Sequence, residues 1–447
     1  MCVLAASAFI VAAVLYSAWI TGQFTTPAVD RTHGYVSELA ARDQPWSRLF
    51  RTSDTLSGLA CLTGVAVVPR LAREWAGWLA LAAFGLLTIA GGAFPLDCAA
   101  LSAPACAGGP LTPSHHLHVA AGLLATAAVL AAMVMLSSRW RTWVAWIITG
   151  PAAAAMALAV SAAAVGHLTG LAQRLQVTLV AAWLIYVALR LLVSDDAVLV
   201  PGPLHVVRQG SGPAVLIAAG PGAAWCQWDG VAGELSRRHR VTRFDRPGLG
   251  LSAASPVPPS LHGEAARLAA LAPAHPERVT IVAHAVAAWH AEAFARLHPL
   301  RVAALVLVDP SCESGGPRGT SAFGRALGGW LPALGATWGA TALARLTGPP
   351  VHLLLCGRTD AHGLYGQGRV LAAALGEWLA RRDMAADLRR IRAEHAFPDV
   401  PVTVLSTRRR RECRGRLAEE LNGRLVPLPV SGFQVHVSAP RAIADAV

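Results

Sequence analysis

Six apolar runs crowd the first two hundred residues and most narrow what this chain can fold into. They are Val3–Ile20, Leu56–Val68, Trp75–Phe94, Leu117–Leu136, Trp143–Val165 and Val177–Leu192. A helix that crosses a bilayer needs roughly 20 apolar residues. Five runs come near that length, and the second approaches it when counted from Thr55 to Leu71. The expectation is an all-α transmembrane bundle of about six helices over residues 1–194. Composition agrees: 14% of residues are charged, against about 25% in ordinary soluble domains. The first run lacks a basic leader and a small-residue cleavage site after Trp19, so it reads as a retained helix rather than a signal peptide.

Charge is unevenly spread. Residues 1–200 hold ten arginines and eight acids; residues 201–447 hold twenty-eight and eighteen, and so +10 of the net +12. The chain contains no lysine. Short loops with arginine mark the cytoplasmic side of a membrane protein. Arg70 and Arg73 lie between the second and third runs, Arg139 and Arg141 between the fourth and fifth, and Arg190 ends the sixth. The loop from Leu96 to His116 has none. This alternation predicts a multi-pass cell-membrane protein with its N-terminus and everything after residue 193 in the cytoplasm. Arg31, Arg42, Arg48 and Arg51 would then face outward, balanced by Asp30, Glu38, Asp43 and Asp54.

That orientation puts Cys98 and Cys106 on the oxidising side, where a disulfide persists. The other six cysteines are scattered through apolar or strand-like segments and read as reduced thiols.

Four groups of residues in the bundle resemble a bacterial six-helix membrane family without assigned activity, the domain-of-unknown-function 998 family. They are Tyr35-Val36-Ser37-Glu38-Leu39, Phe94-Pro95-Leu96-Asp97-Cys98, Ser114-His115-His116-Leu117-His118 and Gln173-Arg174. The resemblance implies an architecture and no chemistry. By the expected topology Ser37, Glu38, Asp97, His115, His118 and Arg174 lie near one membrane surface. One Asp and two His form a plausible metal-ligand set, but no tight HxxxH or HExxH spacing supports it. The cluster therefore reads first as a structural polar cap without metal, and Arg174 as a side chain that snorkels or pairs with an acid.

After Ser194 the pattern changes. Val215–Ala218, Val241–Phe244, Val279–Val282, Ala304–Val308, Val402–Leu405 and Leu425–Leu428 read as strands. Most are continuously apolar, as in a parallel sheet covered by helices on both faces. His262–Ala272, Trp289–Leu297 and Gly415–Leu421 read as helices between them. The expected layout is a linker at 195–202, then a mostly parallel α/β domain over 203–447.

This part resembles the α/β-hydrolase fold superfamily. Ala219-Gly220-Pro221-Gly222 looks like the family's oxyanion loop, and Phe244-Asp245-Arg246-Pro247-Gly248-Leu249-Gly250-Leu251-Ser252 like its sharp turn after the next strand. Leu305–Ser311 resembles the strand end that follows the elbow helix, and residues 312–397 would be a helical cap. Ser431-Gly432-Phe433-Gln434-Val435-His436 resembles the loop that delivers the catalytic histidine.

The resemblance implies hydrolysis only if its reactive residues are present. The nucleophile elbow requires G-x-S-x-G, whereas this chain reads Ala283-His284-Ala285-Val286-Ala287. The nucleophile position holds Ala285, and Ile281 through Pro310 contain no Ser, Cys or Thr. The expected histidine position holds Phe433. His436, three residues on, is a weak substitute. Asp309 is either the acid or a structural turn residue, and the second is favoured. The triad positions Ala285, Phe433 and Asp309 are therefore expected to be degenerate, with His284, Val286 and His436 as pocket candidates beside Gly220, Pro221 and Gly222.

Arg408, Arg409, Arg410 and Arg411 form the most basic stretch with Arg414 and Arg416. A solvated loop is the plainer reading; contact with anionic lipid is the functional one. No nucleic-acid-binding motif accompanies the charge, and no cofactor is expected. The sequence thus points to a membrane-anchored, hydrolase-like binding or regulatory module for a small acyl or hydrophobic ligand. Its rivals are an active ester or acyl hydrolase with a non-standard site, and metal-dependent chemistry or transport in the bundle.

Overall fold

The computed structural model describes residues 1–69, 74–103, 106, 111–140, 142–165, 167–193, 203–313, 320–357, 359–407, 411–428, 430 and 434–447. Arg70, Arg73, Arg141, the linker 195–202, Arg408–Arg410 and Phe433 lie outside the described residues. The chain divides into two compact units, Met1–Val198 and Leu199–Ala336 with Ala340–Val447.

The first unit is helical: α1 (Cys2–Tyr16), α2 (Trp19–Thr25), α3 (Ser47–Val67), α4 (Trp75–Ala93), α5 (Pro113–Trp140), α6 (Trp143–Val165) and α7 (Thr169–Val193). Five stretches among the described residues are long and apolar enough to cross a membrane: Cys2–Thr25, Trp75–Ala93, Pro113–Trp140, Trp143–Ala162 and Thr169–Leu192. The expected second crossing is the exception. Its run lies in α3, whose first turns carry Arg48, Arg51 and Asp54 among hydroxyl residues. Charge on that face leaves α3 short of the apolar length the other five reach. It still packs in the bundle, where small residues let backbones approach: a Cβ on Gly58 would lie 2.4 Å from the Gly85 carbonyl of α4.

One end of the bundle is tied together by its loops. Gly170 donates to the Thr32 carbonyl at 3.0 Å and Arg42 to the Leu96 carbonyl at 3.0 Å. Val36 donates to Gln173 Oε1 at 2.7 Å and Leu101 to Glu38 Oε1 at 2.7 Å. Cys98 and Cys106 are disulfide-bonded there, with Cα atoms 6.0 Å apart, within the range such bridges span.

The second unit is a seven-stranded sheet: β1 (Val206–Gln209), β2 (Ala214–Ala218), β3 (Arg240–Phe244), β4 (Val279–His284), β5 (Val302–Val308), β6 (Val402–Ser406) and β7 (Arg424–Pro427). Its order is β1-β3-β2-β4-β5-β6-β7. Only the edge strand β1 is antiparallel. All six strands read from the sequence are present. β1 was not legible, because its half-exposed Val-Val-Arg-Gln lacks a continuous apolar run.

Helices cover both faces. α8 (Asp229–Leu235), α9 (Leu261–Leu271) and α10 (Ala287–Leu297) follow β2, β3 and β4. Ser260 caps α9 by accepting the Gly263 N–H, supplying an acceptor that the helix end lacks. α10 is alanine-rich, which lets it lie close under the sheet with Phe294 and Trp289 as its large core residues. α11 (Ala322–Gly335), α12 (Trp338–Cys356) and α13 (Gly368–Glu394) occupy the expected cap region. α14 (Arg411–Glu420), α15 (Val435–Ser438) and α16 (Pro440–Ala444) complete the unit.

One expectation fails here. Cys312 and Cys413, read as separate reduced thiols, form a disulfide with Cα atoms 6.2 Å apart. They are 101 residues apart in sequence, so spacing gave no sign of the pairing. Cys312 follows β5 and Cys413 lies in α14, which packs beside β6.

Candidate functional site

The turn between β4 and α10 has the shape of a nucleophile elbow. Ala285 sits at its tip with φ +54°, a left-handed conformation that costs an ordinary L-residue roughly 1–2 kcal/mol. The neighbourhood holds it there. Ala285 N–H donates to the Val308 carbonyl at 3.1 Å, and its own carbonyl accepts from Ala288 at 3.2 Å and Ser311 at 3.1 Å. The two alanines replacing the elbow glycines therefore do not prevent the turn. What stands at the tip is a methyl group.

A cavity of about 250 Å³ lies beside this turn, lined by Gly220, Pro221, Gly222, His284 and residues of α12 and α13. His284 is buried and lies against Gly220, where a Cβ would come within 2.4 Å of its Nδ1. Glycine is thus required for His284 to reach the cavity wall. Ala285, Val286 and His436 are not among the lining residues. Val286 packs instead at the edge of the core.

His436 is buried between aromatic rings. It stacks on Trp228 with centroids 4.5 Å apart and lies 5.0 Å from the His284 ring. Neither ring nitrogen has a hydrogen-bond partner among the described residues. Burial, with the neighbouring His284 ring second, pushes its pKa down to about 3. A ring that resists protonation this strongly is a poor general base.

Asp309 is committed elsewhere. Its Oδ1 accepts from Thr407 N–H at 3.2 Å and Thr407 Oγ1 at 2.8 Å, and pairs with Arg414 at 2.5 Å. Arg414 is consequently buried beside Asp309 rather than part of a solvated basic surface, whereas Arg411 and Arg416 are exposed. Gly222 N–H, within the oxyanion-like loop, donates to Glu377 Oε2 at 3.0 Å. Glu377 belongs to α13 and also pairs with Arg246, which in turn donates to the Gly220 carbonyl at 2.7 Å.

The cap adds polar groups that no family motif marked. Gln227 donates to Tyr365 Oη at 2.8 Å and lies 3.5 Å from Cys356 Sγ. His352 stacks on Tyr365 with centroids 4.1 Å apart. Burial raises the Cys356 pKa, so it faces the cavity as a thiol, the less nucleophilic form.

The bundle brings its own cluster together at the tied end. Ser37, Glu38, His115 and His118 line one cavity of about 290 Å³, with Gln173 and Gln176. Asp97 and Arg174 do not line it. Asp97 accepts from Thr112 N–H at 2.7 Å and Thr112 Oγ1 at 2.8 Å, bonds that lower its pKa and fix the start of α5. Arg174, expected to snorkel or meet an acid, is buried, donates to the Gly34 carbonyl at 3.0 Å and lies over Trp19. The first loop supplies that backbone acceptor. Burial raises the Glu38 pKa, and hydrogen bonds from Ser102 and Leu101 oppose the shift. Among the described residues no three His, Cys, Asp or Glu side chains gather as a metal-ligand set.

A parallel sheet with one antiparallel edge, a positive-φ turn after β4 and a helical insertion before β6 define an α/β-hydrolase-like unit. It follows a helical unit with the architecture of a multi-pass membrane protein. Comparison with known proteins gives two kinds of likeness. Residues 9–190 match a family described as "Protein of unknown function (DUF998)". Among solved structures, the chain is similar to an alpha/beta hydrolase fold protein from Burkholderia ambifaria at 23% identity and TM-score 0.41, covering 54% of this chain and 92% of that one. It is also similar to the enol-lactonase from Burkholderia xenovorans LB400 at 20% identity and TM-score 0.40, covering 54% and 94%. No curated protein matches this chain. These likenesses concern the fold alone.

Proposed function

We propose that the chain is a membrane-anchored hydrolase-like protein whose second unit binds a small acyl or hydrophobic ligand without hydrolysing it, as a binding or regulatory module. The observation that carries this reading is Ala285: the strained elbow turn is kept while its tip has no nucleophile. Phe433 at the family's histidine position supports it from the sequence. His436 is buried and hard to protonate, and Asp309 is neutralised by Arg414, so neither restores a base or acid. Loss of one such triad residue lowers turnover by roughly a millionfold. The cavity beside Gly220–Gly222 keeps a mostly apolar wall with a few polar groups, the composition of a small-molecule site.

The arginine pattern of the short loops supports a cytoplasmic second unit. Contact of the 408–411 stretch with anionic lipid belongs to the same reading.

The test is hydrolysis of short- and long-chain acyl esters by the wild type and by the double variant Ala285→Ser, Phe433→His. The expected result is no hydrolysis above background by the wild type and at least a thousandfold gain in the variant, a fraction of the full triad contribution. Wild-type hydrolysis that disappears when His284 is replaced by Ala would overturn the reading in favour of an active non-standard site.

A further inference from the structure

Two cavities meet inside the tied end of the membrane bundle. One, of about 290 Å³, runs from Glu38 and His115 to α6; the other, of about 140 Å³, reaches α4 and α3. Ser37, His118, Gly122, Thr126, Gln173 and Gln176 line both. These groups come from the first loop, α5 and α7, so only the fold assembles them.

The hydrogen-bond capacity of the shared wall is polar but uncharged. His118 Nδ1 lies 2.9 Å from the Gly91 carbonyl and 2.8 Å from the Phe94 carbonyl. Carbonyls only accept, so Nδ1 carries a proton, and with that one proton on the ring Nε2 is an acceptor. Gln173 spends its carbonyl on the Val36 N–H, which leaves the amide N–H₂ as its remaining end. Gln176 donates to Thr126 Oγ1 at 3.1 Å. Among the described residues Glu38 is the one carboxylate on the larger cavity's wall, its oxygens already accepting from Leu101 N–H and the Ser102 hydroxyl, and Asp54 lines the smaller cavity. Among the described residues no arginine lines either cavity, so a phosphate would meet carboxylates without a counter-charge there.

The flank of the larger cavity is apolar and open sideways. Val119 and Leu123 of α5 and Val160 of α6 line it while remaining 44%, 64% and 63% exposed. In a bilayer those side chains meet acyl tails rather than water. A recess with a polar shared wall, a carboxylate in each cavity and an apolar side door toward lipid disfavours an anionic head and fits an uncharged one.

We propose that this recess binds the head of an uncharged glycerolipid, a diacylglycerol, which enters from the leaflet on the Cys98–Cys106 side. Its hydroxyl and ester oxygens meet His118 Nε2 and the Gln173 amide, and its tails leave between Val119, Leu123 and Val160. This site is separate from the hydrolase-like cavity and does not rest on its reading.

Gly122 makes the test clean, because a Cβ there would meet no heavy atom within 4 Å. Full-length protein is reconstituted in phosphatidylcholine nanodiscs containing dioleoylglycerol or dioleoylphosphatidylglycerol, and lipid retained after stripping is counted by native mass spectrometry. Retention of dioleoylglycerol and not the anionic lipid is expected, unchanged in Gly122→Ala and reduced at least about tenfold in Gly122→Phe, equivalent to roughly 1.4 kcal/mol. Thr126→Val, nearly isosteric, removes the acceptor that holds the Gln176 amide on the shared wall and should lower retention about fivefold. Retention of both lipids alike, of neither, or of dioleoylglycerol undiminished in both Gly122→Phe and Thr126→Val would overturn the proposal.

Discussion

The two units gather their candidate site residues in opposite ways. In the hydrolase-like unit the elbow-shaped turn is present, and Ala285 at its tip holds φ +54° with a methyl side chain. In the bundle the polar groups converge, yet no local motif announces them. Ser37, His118, Gln173 and Gln176 become neighbours only through loops tied across more than a hundred residues, as the bond from Val36 to Gln173 shows. A motif is read from backbone demands that are local in sequence. Chemistry depends on side chains that need not be local, so either can persist without the other.

The strongest way to break this comparison is to ask whether the hydrolase frame is rigid for its own reasons. Arg246 is 4% exposed and Glu377 12% exposed, and their pair also fixes Gly222. Removing one partner of a buried pair leaves an uncompensated charge, costing about 3–5 kcal/mol. Glu377→Ala should therefore lose about that much stability in denaturant unfolding of the full chain. A loss under about 1 kcal/mol would mean the loop is held by packing, and that the carboxylate on Gly222 is incidental.

Acid separates the units by a second route. His290 and His436 are both buried in the hydrolase-like unit with pKa pushed down to about 3, chiefly by burial. An unfolded histidine titrates near 6.5, so each binds a proton on unfolding below that pH. The stabilisation is complete above pH 6.5 and is lost as pH falls toward 3. Two such groups give a slope approaching about 2.7 kcal/mol per pH unit, or roughly 3 kcal/mol between pH 6.5 and 5. Urea midpoints recorded across this window should fall accordingly, and His290→Phe should halve the slope. A flat profile would mean these rings exchange protons with solvent in the folded state.

Both units were legible in outline because each rests on a long-wavelength pattern. Apolar runs of spanning length marked five crossings, and six continuous β runs marked the central sheet. The failures have physical causes. α3 carries Arg48, Arg51 and Asp54 into a helix whose second half alone looks membrane-like. β1 is an edge strand with mixed burial, so its sequence carries no core signal. Arg414 looked like one more member of a basic run, yet the fold folds it back onto Asp309 at 2.5 Å. Cys356, Tyr365 and Gln227 line the hydrolase-like cavity from three separate segments of the chain, a grouping no spacing could reveal.

The cysteine pairs sharpen the comparison through compartment. Geometry allows both bridges, with Cα separations of 6.0 and 6.2 Å, but redox surroundings decide which persists. With the orientation proposed above, Cys98–Cys106 stays oxidised in the cell, while the Cys312–Cys413 bridge is reduced there and its thiols label with maleimide after permeabilisation without reductant. Finding Cys312–Cys413 oxidised in rapidly quenched cells would place that domain on the oxidising side and overturn the orientation. For the short loop closed by Cys98, the Cys98→Ser variant should cost roughly 2 kcal/mol of bundle stability in the chain-entropy picture. The hydrolase-like transition should not move.

The smallest effect bears most directly on why the elbow persists. Ala285 pays for a left-handed backbone that glycine adopts freely, and nothing catalytic remains at its side chain to justify the strain. Ala285→Gly should relieve that strain while giving the unfolded chain more freedom. The net gain is expected to be up to about 1 kcal/mol, read as a small rise in the denaturation midpoint. Its sign carries the argument. A gain would mean that the turn is imposed by the Val308 and Ser311 hydrogen bonds on either side, and that alanine is tolerated there. A loss would mean that the buried methyl, 1% exposed, contributes packing worth more than the strain. The elbow would then be a settled part of the core, and restoring Ser at that position would meet a turn already shaped to present it.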